Sequence, residues 1–379
     1  MEFGWSAEEE AFRAELLAFA DANLPAGWTT RIPGEEPYSD FTVEFCRKLG
    51  AKGWLAPHWP EAYGGGGDVS PWRFTILSEE LWAMGEPRGS QYMNTNWIGP
   101  AIIAAGTEDQ KRRFLPPIAA GEALWCQGFS EPGAGSDLGA MSTKAVRDGD
   151  DYVITGEKVW TSYAGKAHHC FLLARTGDPA GEGQGISIFL VPMDAPGVSV
   201  APIPSMLDIH VIHHLKFDAA RVSAANRLGP ENGAWPIVRE ALVNERVGAP
   251  RHIRAARVLD QVVAAAKAAD RLEDRALAAA GEARAVCLAA RALVHKVRQM
   301  GAGGRDPGAL AYLARAAVVD AERAVADVAA DLAGPEDLTS GSVTDGEFRT
   351  ALIAGLGGGS YETQLNLVAR LWLKLPKAA

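Results

Sequence analysis

The sequence predicts a multidomain α+β protein with an N-terminal helical domain, a middle antiparallel β domain of barrel-like form and a C-terminal four-helix bundle. Helix-start signals recur in the first third of the chain, short segments rich in β-branched and aromatic residues fill the middle, and long alanine-rich stretches follow. The chain has 379 residues, which suits two or three domains of about 100 to 200 residues each. These changes of pattern predict domains at 1–122, 123–230 and 231–379.

Helix-start chemistry marks the N-terminal domain. Ser6 is followed three residues later by Glu9, and Thr107 by Gln110, so both pairs match the capping box, in which each side chain accepts from the other's backbone N–H. The dipeptide Ser70-Pro71 puts proline at the first position of a helix, where the N–H that it lacks would have no intrahelical acceptor. We therefore expect a helix to begin at each of these places.

Five short segments with strand-like composition occupy the middle domain. They are Tyr152–Thr155, Lys158–Ser162, Cys170–Arg175, Ile186–Val191 and His213–Phe217. No stretch of helix length separates them, and parallel neighbours need a long crossover connection. The segments are therefore expected to pair antiparallel, in an open sheet or a barrel.

After Gly233 the chain becomes alanine-rich and periodic. Three stretches are long enough for the helices of an antiparallel bundle, because alanine and leucine have high helix propensity and the breaks between the stretches are short. They are Arg254–Ala280, Glu282–Met300 and Ala309–Leu332. Pro250 lacks an N–H, so we expect it to bend the helix one turn after Arg246.

The overall charge disfavours polyanionic partners. Lys and Arg total 37 against 47 Asp and Glu, a net charge of −10, so nucleic acid and anionic membranes are not expected as partners. The longest uncharged run, 89–107, contains too many polar side chains to lie in hydrocarbon, so no segment is expected to span a membrane. The acidic N-terminus does not resemble a signal or transit peptide.

Cysteine and histidine usage favours neither disulfides nor metal. Four widely spaced cysteines are typical of reduced thiols in a cytoplasmic protein. They are Cys46, Cys126, Cys170 and Cys287. The sequence 210–214 holds His210, His213 and His214, but these histidines lack a clean ligand spacing, so no metal site is expected.

The glycine-rich segment 127–140 carries the sharpest chemical signal. As a dinucleotide fingerprint its glycine spacing is one residue too long, and no helical pattern follows it. Two interpretations remain open from the residues alone. The segment is either a loop between strands or a place where small residues let the backbone approach a flat ligand, with the hydroxyls of Ser130 and Ser136 as donors.

The run Gly128–Ala140, of sequence GFSEPGAGSDLGA, closely resembles the flavin-binding signature of the acyl-CoA dehydrogenase family. Further similar segments extend the likeness over almost the whole chain, in the order in which the family has them. They are Gly156–Ser162, Leu242–Arg246, Gly357–Ser360 and Asn366–Arg370. The resemblance implies the acyl-CoA dehydrogenase fold, a role in lipid metabolism or β-oxidation, and FAD as cofactor.

Carried over residue by residue, the resemblance implies an FAD site. Phe129 and Ser130 would hold the pyrimidine edge of the flavin, Trp160 would lie against the isoalloxazine, and the Ser162 hydroxyl would bond near N5. The whole implied set of cofactor-binding residues is Gln127, Phe129, Ser130, Trp160, Thr161, Ser162, Ser360 and Glu362.

The reaction that the resemblance implies is abstraction of the proton α to a thioester carbonyl, coupled to transfer of the β-hydrogen as hydride to the flavin. In many relatives the base is a glutamate at the position of Gly358, which has no side chain to take a proton. Other relatives supply a glutamate from the helix that opens the bundle, and Glu245 matches that position. Glu245 is therefore the predicted base, with Glu362 as its rival.

The resemblance also implies contacts to substrate and to other proteins. The substrate residues would be Ser136, Arg246, Gly358, Gly359 and Arg370, with the Gly358 N–H as donor to the thioester oxygen. An electron-transferring flavoprotein would accept the electrons. The acyl group stays open among branched, long and steroid-like chains.

Two segments depart from the family pattern. Relatives carry an Arg-x-x-Phe segment, and later a Gln before a Gly-Gly pair, that reach the FAD of a neighbouring subunit. Here the corresponding stretches are 270–275 and 330–335, and Asp331 would repel a pyrophosphate. The chain is thus expected to form either a homo-oligomer or a heteromer with a related subunit. A flavin-poor, noncatalytic partner subunit and a flavin oxidase or hydroxylase on the same fold are the alternative functions.

Overall fold

The chain divides into two units that interleave along the sequence. The computed structural model describes residues 4–26, 28, 40–68, 70–206, 211–339 and 341–376. One unit, here called the bundle unit, consists of Met1–Glu35, Val69–Pro87 and Arg246–Ala379. The other, the sheet unit, consists of Glu36–Asp68 and Arg88–Glu245.

Helices precede and follow the strands along the chain. The helices are α1 (Ala7–Asn23), α2 (Asp40–Ala51), α3 (Pro71–Ala83), α4 (Gln91–Met93), α5 (Gly99–Ala105), α6 (Glu108–Ala119), α7 (Ala234–Gly248), α8 (Arg251–Ala268), α9 (Asp274–Ala302), α10 (Ala309–Leu332), α11 (Val343–Ala354) and α12 (Tyr361–Leu371). The strands are β1 (Trp125–Gly128), β2 (Lys144–Asp148), β3 (Asp151–Ser162), β4 (His169–Arg175), β5 (Ile186–Pro192), β6 (Val198–Pro202), β7 (Ile212–Ser223) and β8 (Arg227–Leu228). In the described ranges, no helix is both long enough and apolar enough to cross a membrane.

The expected helix starts in the first third of the chain are confirmed. The Ser6 hydroxyl accepts from the backbone N–H of Glu9, and the Glu9 carboxylate accepts from the N–H of Ser6 at 2.7 Å. Thr107 and Gln110 form the same reciprocal pair at the start of α6. Ser70 caps α3, whose first residue is Pro71.

Helix α10 is the centre of the bundle unit. It packs against α8, α9, α11 and α12, and its bounds agree with the predicted stretch Ala309–Leu332. The residues that it buries are mostly alanine and valine, such as Ala314, Val318, Ala321 and Val325. These small side chains recur at spacings of three and four residues, so one face of α10 is apolar and lets neighbouring helices approach closely.

Two predictions about the bundle helices are wrong. The break that was expected near Gly281 lies instead at 269–273, where Asp270 adopts a left-handed conformation with φ 54°. Gly281 lies inside α9, where a helical glycine is tolerated. Pro250 does not bend a continuous helix: α7 ends at Gly248, and Pro250 is the N-cap residue of α8. Pro250, which has no N–H to continue α7, therefore lies between the two helices and directly precedes α8.

The sheet unit is built on an eight-stranded mixed sheet. The strand order is β6-β7-β3-β2-β4-β5-β8, and β1 pairs with β4. All five predicted segments lie in strands, with Tyr152–Thr155 and Lys158–Ser162 joined in β3. The expected antiparallel pairing is confirmed among these segments, because β3 pairs with β7 and β4 pairs with β5 in the antiparallel sense. The sheet as a whole is mixed, since β1 and β2 lie outside the predicted segments, β1 runs parallel to β4, and Lys144 of β2 pairs with β4 in the parallel sense. The β2–β3 hairpin lies in the connection between β1 and β4, so this crossover contains no long helix.

The sheet buries an apolar core that fixes its register. Tyr152, Ile154, Leu172, Phe189 and Phe217 are among its fully or almost fully buried members. Their alternation with exposed residues along β3 and β7 follows the two-residue period of a strand. All four cysteines are buried free thiols.

Candidate active site

A buried ion pair anchors the signature loop, defined here as residues 128–140. Lys158 is 0% exposed and Glu131 is 5% exposed, and Lys158 Nζ lies 2.8 Å from Glu131 Oε1. Lys158 Nζ also donates to the Phe129 carbonyl at 3.0 Å. The Glu131 carboxylate further accepts from the backbone N–H groups of Ser142 and Thr143. The pair thus fixes both ends of the loop to the sheet.

Both members of this pair have shifted pKa values. Burial alone would raise the pKa of Glu131, but the charge of Lys158 and the hydrogen bonds to the carboxylate lower it to about 2. Burial lowers the pKa of Lys158, while the charge of Glu131 opposes that shift.

The outer part of the signature loop is open. A Cβ atom added at Gly133 or Gly135 would meet nothing within 4 Å, and Ser136 is exposed. At Gly128 the situation is the opposite, because a Cβ there would lie 2.8 Å from Cys170 Sγ. Packing therefore requires the first glycine, whereas the later ones leave a backbone surface that a ligand can approach.

A β-bulge turns Trp160 outward. The register between β3 and β7 shifts between Lys158 and Thr161, and Trp160 has φ 60° with 61% of its surface exposed. The flanking Lys158 and Thr161 are buried. Val159 N donates to the Ser130 carbonyl at 2.9 Å, which ties the bulge to the signature loop. Bulges often direct a side chain toward an active site. A left-handed backbone is unfavourable for a residue with a Cβ, and such strained residues are common at functional sites.

Glu245 lies beside the strand that leads into the signature loop. It is half-buried in α7, and its Oε2 is 3.4 Å from Nε2 of Gln127 in β1. The other amide atom of Gln127, Oε1, accepts from Trp97 Nε1 at 2.8 Å. The predicted base and the predicted flavin-binding segment are therefore close together within the sheet unit.

The bundle unit contains the second group of predicted residues. Gly358 and Gly359 both have left-handed backbones, with φ 72° and 90°. The buried Gln364 donates to the Gly358 carbonyl at 3.0 Å, and a Cβ at Gly359 would lie 2.3 Å from Gln364 Nε2. Arg315 donates to the Gly357 carbonyl at 2.9 Å. Buried side chains thus hold the backbone of this glycine turn in one conformation.

The remaining predicted residues of the bundle unit lie on α7 and α12. The Ser360 hydroxyl caps α12 by accepting from Thr363 N at 3.2 Å. Glu362 and Arg370 are exposed, in the first and last turns of that helix. The guanidinium of Arg246 lies over the ring of Tyr312, 4.7 Å from its centroid.

Sequence reasoning missed several polar residues that support these segments. They are Trp97, Glu131, Lys158, Arg315 and Gln364. A usable signal existed for two of them. Lys158 occupies a position that alternation along β3 predicts to be buried, and Arg315 interrupts the apolar face of α10. A charged residue at such a position is rarely buried without a partner.

Three of the described histidines make contacts within the sheet unit. His168 accepts from Leu124 N, and His169 stacks on Trp125 with ring centroids 4.6 Å apart. His214 pairs with Glu157 at 2.7 Å. His210 lies outside the described residues, and among those that are described no cluster of His, Cys, Asp and Glu could hold a metal ion.

Comparison with known proteins identifies the family. Residues 6–122, 126–220 and 232–373 match the family profiles described as the N-terminal, middle and C-terminal domains of acyl-CoA dehydrogenase. The chain belongs to the acyl-CoA dehydrogenase family. It is 32% identical to "Acyl-CoA dehydrogenase FadE26" of Mycobacterium tuberculosis, with 100% of both chains covered.

Solved structures agree with this assignment. The structure titled "Tcur3481-Tcur3483 steroid ACAD" matches with a TM-score of 0.88 and 31% identity over 100% of both chains. The "ChsE4-ChsE5 complex from Mycobacterium tuberculosis" matches with a TM-score of 0.86 and 30% identity, also over 100% of both chains. The predictions of family, fold class and enzyme class are confirmed, and the protein is an oxidoreductase of the acyl-CoA dehydrogenase family.

Acyl-CoA dehydrogenases are FAD-dependent flavoproteins, and the sheet unit has surfaces that fit this cofactor. The outward Trp160 indole offers an apolar face for a flat ring system. The hydroxyls of Ser130 and Ser162 make no hydrogen bond within the part of the chain that the structure describes, so they are available as donors. The open glycine backbone of the signature loop completes a surface suited to a planar ligand.

Proposed function

We propose that this protein catalyses α,β-dehydrogenation of an acyl-CoA thioester, with Glu245 as the base that removes the α-proton. One observation carries the proposal: Glu245 Oε2 lies 3.4 Å from the Gln127 amide, in the strand that enters the signature loop. Removal of a proton from carbon requires a base held at the reacting atom, and a carboxylate is a suitable one. The rival base Glu362 is exposed on α12, which favours Glu245.

The residues of the sheet unit that would hold FAD are Gln127, Phe129, Ser130, Trp160, Thr161 and Ser162. FAD bound there would supply the acceptor for the β-hydrogen, which leaves the substrate as a hydride. The Phe129 carbonyl is fixed by Lys158 at 3.0 Å, and Trp160 is directed outward by the bulge in β3. These contacts support a preorganised site, because the protein groups need not move when the cofactor binds.

Gly358 lies at the position where many relatives have a glutamate base. It has no side chain to act as a base, but it retains a backbone N–H as a hydrogen-bond donor. We propose that its N–H donates to the thioester oxygen and so stabilises the charge that develops when the α-proton leaves. One such preorganised donor is typically worth about 3 kcal/mol. The contacts of Gln364 and Arg315 with this turn support the role, since they hold the backbone rigid. Ser136, Gly359, Arg246 and Arg370 would contact the rest of the acyl-CoA.

The proposed substrate is a bulky acyl-CoA of the steroid-derived type, and the proposed electron acceptor is an electron-transferring flavoprotein. The similarity to a structure titled as a steroid acyl-CoA dehydrogenase supports the substrate class. The sequence left branched and long acyl groups open as well. A panel of straight, branched and steroid-derived thioesters therefore forms the first assay.

The assay follows loss of two hydrogens from the thioester by mass spectrometry, with the flavin-loaded protein and a dye as electron acceptor. We expect at least one thioester, from the steroid-derived group, to become the 2,3-unsaturated product. If no member of the panel loses hydrogen, the proposed activity is wrong. Rapid peroxide formation with oxygen in place of the dye would instead identify an oxidase.

A heteromer with a related chain is the proposed assembly. Asp331 is exposed near the end of α10, and Arg271 pairs with Asp337 at 3.1 Å. The segments that depart from the family pattern are therefore acidic or internally paired. Several large apolar side chains in this part of the chain are exposed: Phe348 and Leu352 on α11, Leu356 just after it, and Trp372 just after α12. The exposure of several large apolar side chains supports contact with another subunit.

The visible spectrum and the mass of the purified protein test this assembly. We expect the protein to retain more flavin when it is co-expressed with a related acyl-CoA dehydrogenase chain than when it is expressed alone. Full flavin occupancy and a single self-associated species without the second chain would favour the homo-oligomer. A protein that never gains flavin, with or without the second chain, would favour the noncatalytic alternative.

A further inference from the structure

Two side chains of one helical segment dock onto β1. Between α4 and α5 the chain forms a π-helical turn, Asn94–Ile98, whose residues are all buried. Asn94 Oδ1 accepts from the backbone N–H of Trp125 at 2.8 Å. Three residues later, Trp97 donates its indole N–H to Gln127 Oε1 at 2.8 Å. The π turn therefore fixes both the first residue of β1 and the side chain two residues further along it.

The Trp97 contact determines which way the Gln127 amide faces. An indole N–H can only donate, so the amide atom that meets it must be the oxygen. The amide nitrogen then lies on the other side, 3.4 Å from Glu245 Oε2. An amide NH₂ group can only donate, so the Gln127 side chain presents a donor to the carboxylate rather than an acceptor. The reverse orientation would leave an acceptor facing the carboxylate and a donor facing the indole N–H.

We propose that Gln127 is a positioning residue for Glu245, and that Trp97 acts through Gln127 by fixing the orientation of its amide. The proposal rests on the proposed function, because it concerns the same base. A donor on one carboxylate oxygen limits rotation of the carboxyl group and holds it near a single orientation. Correct placement matters, since a shift of about 1 Å in a reacting group can lower the rate by about a hundredfold.

The variants Gln127→Met and Trp97→Phe test the proposal in the flavin-loaded protein. Methionine retains the length of glutamine and removes the donor, so we expect flavin bleaching at saturating acyl-CoA to slow by about tenfold to a hundredfold. The acyl-CoA concentration for half-maximal rate should change by less than threefold. Trp97→Phe should slow bleaching less, because the amide stays but can flip.

The double variant isolates the connection between the two residues. If Trp97 acts through Gln127, Trp97→Phe adds no further loss of rate once Gln127 is methionine. Losses that multiply in the double variant would remove Trp97 from the proposal. Gln110→Met is the matched control, because Gln110 is a buried glutamine of the same unit whose amide donates to the carbonyls of Ala225 and Arg227. It should leave the bleaching rate unchanged.

A spectroscopic readout separates this proposal from the proposed function. The infrared carboxylate band of Glu245 can be assigned by its loss in Glu245→Gln. We expect that band to move in Gln127→Met and to stay in place in Gln110→Met. An unmoved band in Gln127→Met would overturn the positioning role even if Glu245 is the base. If Glu245→Gln bleaches normally while the band still moves, the contact stands and the proposed base is wrong.

Discussion

The ion pair of Lys158 and Glu131 is the residue-scale feature on which the signature loop most depends. Replacing Lys158 by methionine leaves the buried Glu131 carboxylate without its cation, so we expect a loss of about 3 to 5 kcal/mol in the free energy of unfolding. Unfolding in denaturant measures this loss in the free energy of unfolding. Arg221→Met removes an exposed partner of Asp148 and should leave the unfolding midpoint unchanged. Equal effects of the two changes would contradict the burial argument.

The same pair predicts an acid dependence of stability. The pKa of Glu131 is lowered to about 2 in the folded protein, from its ordinary value of 4.5. A carboxyl group with a depressed folded pKa contributes stability that is present above its unfolded pKa and is lost as the pH falls through the folded value. The wild type should therefore lose more stability between about pH 4.5 and 2 than Glu131→Gln does. Parallel curves for the two proteins would contradict this assignment.

We predict that Trp160 lowers the stability of the folded protein and contributes to flavin binding. Its φ of 60° is unfavourable for a residue with a Cβ, by about 1 to 2 kcal/mol, and its side chain is 61% exposed. Trp160→Gly should therefore raise the melting temperature slightly and lower the flavin content. Ala219→Gly is the control, because exposed Ala219 has φ 52° and lies outside the proposed site. It should raise stability without loss of flavin, and the same flavin loss in both variants would count against the role of Trp160.

The sequence predicted much of the candidate site at this scale but not its supports. Motif likeness singled out Glu245 and Trp160, because it compares residues position by position. It could not predict that Gln127 joins Trp97 to Glu245, since the contacts span 30 and 118 positions along the chain. Such contacts depend on how the helices and β1 are brought together. The pairing of Lys158 with Glu131 was missed for the same reason.

At the scale of elements, Gly281 tests how helix α9 is built. The residue lies inside the helix and is exposed, and an added Cβ would meet nothing within 4 Å. Gly281→Ala should therefore stabilise the protein by about 1 kcal/mol, through the higher helix propensity of alanine. Thermal unfolding measures the change in stability. The comparison variant is Gly50→Ala in α2, where a Cβ would lie 2.7 Å from the Ala119 carbonyl oxygen. Gly50→Ala should destabilise, and a destabilising Gly281→Ala would contradict the placement of α9.

Helix boundaries were predicted less well than helix existence, and Gly281 shows why. A glycine lowers local propensity by about 1 kcal/mol, which a helix of 29 residues held by tertiary packing can absorb. The true break, at Asp270, carries no glycine or proline. At Pro250 a bend was predicted within one helix, but the structure has a helix end there, because Pro250 is the N-cap residue of α8. The residue types at 281 and 250 indicated that the helix pattern changes there, but whether a helix continues or ends depends on tertiary packing.

At the scale of the whole molecule, sequence reasoning predicted the order of helices, strands and helices but not the interleaving of the two units. Helix α3 belongs to the bundle unit although 158 residues, 88–245, separate its segment from the segment Arg246–Ala379 of that unit. Buried Glu79 on α3 accepts from Arg291 Nη2 at 2.6 Å and pairs with His295 at 2.7 Å, both on α9. Burial opposes ionisation, yet these partners and His252 hold the pKa of Glu79 well below its usual range. No local pattern near residue 79 predicts partners more than 200 positions away.

The most direct test of the account is single-turnover flavin bleaching by acyl-CoA in Glu245→Gln. The variant keeps the shape of the side chain and removes its basicity, so bleaching should slow by about a hundredfold to ten-thousandfold while flavin content is unchanged. Glu240→Gln, an exposed change on the same helix, should bleach at the wild-type rate. Wild-type bleaching in Glu245→Gln, or loss of bleaching only in Glu362→Gln, would contradict the assignment of Glu245 as the base.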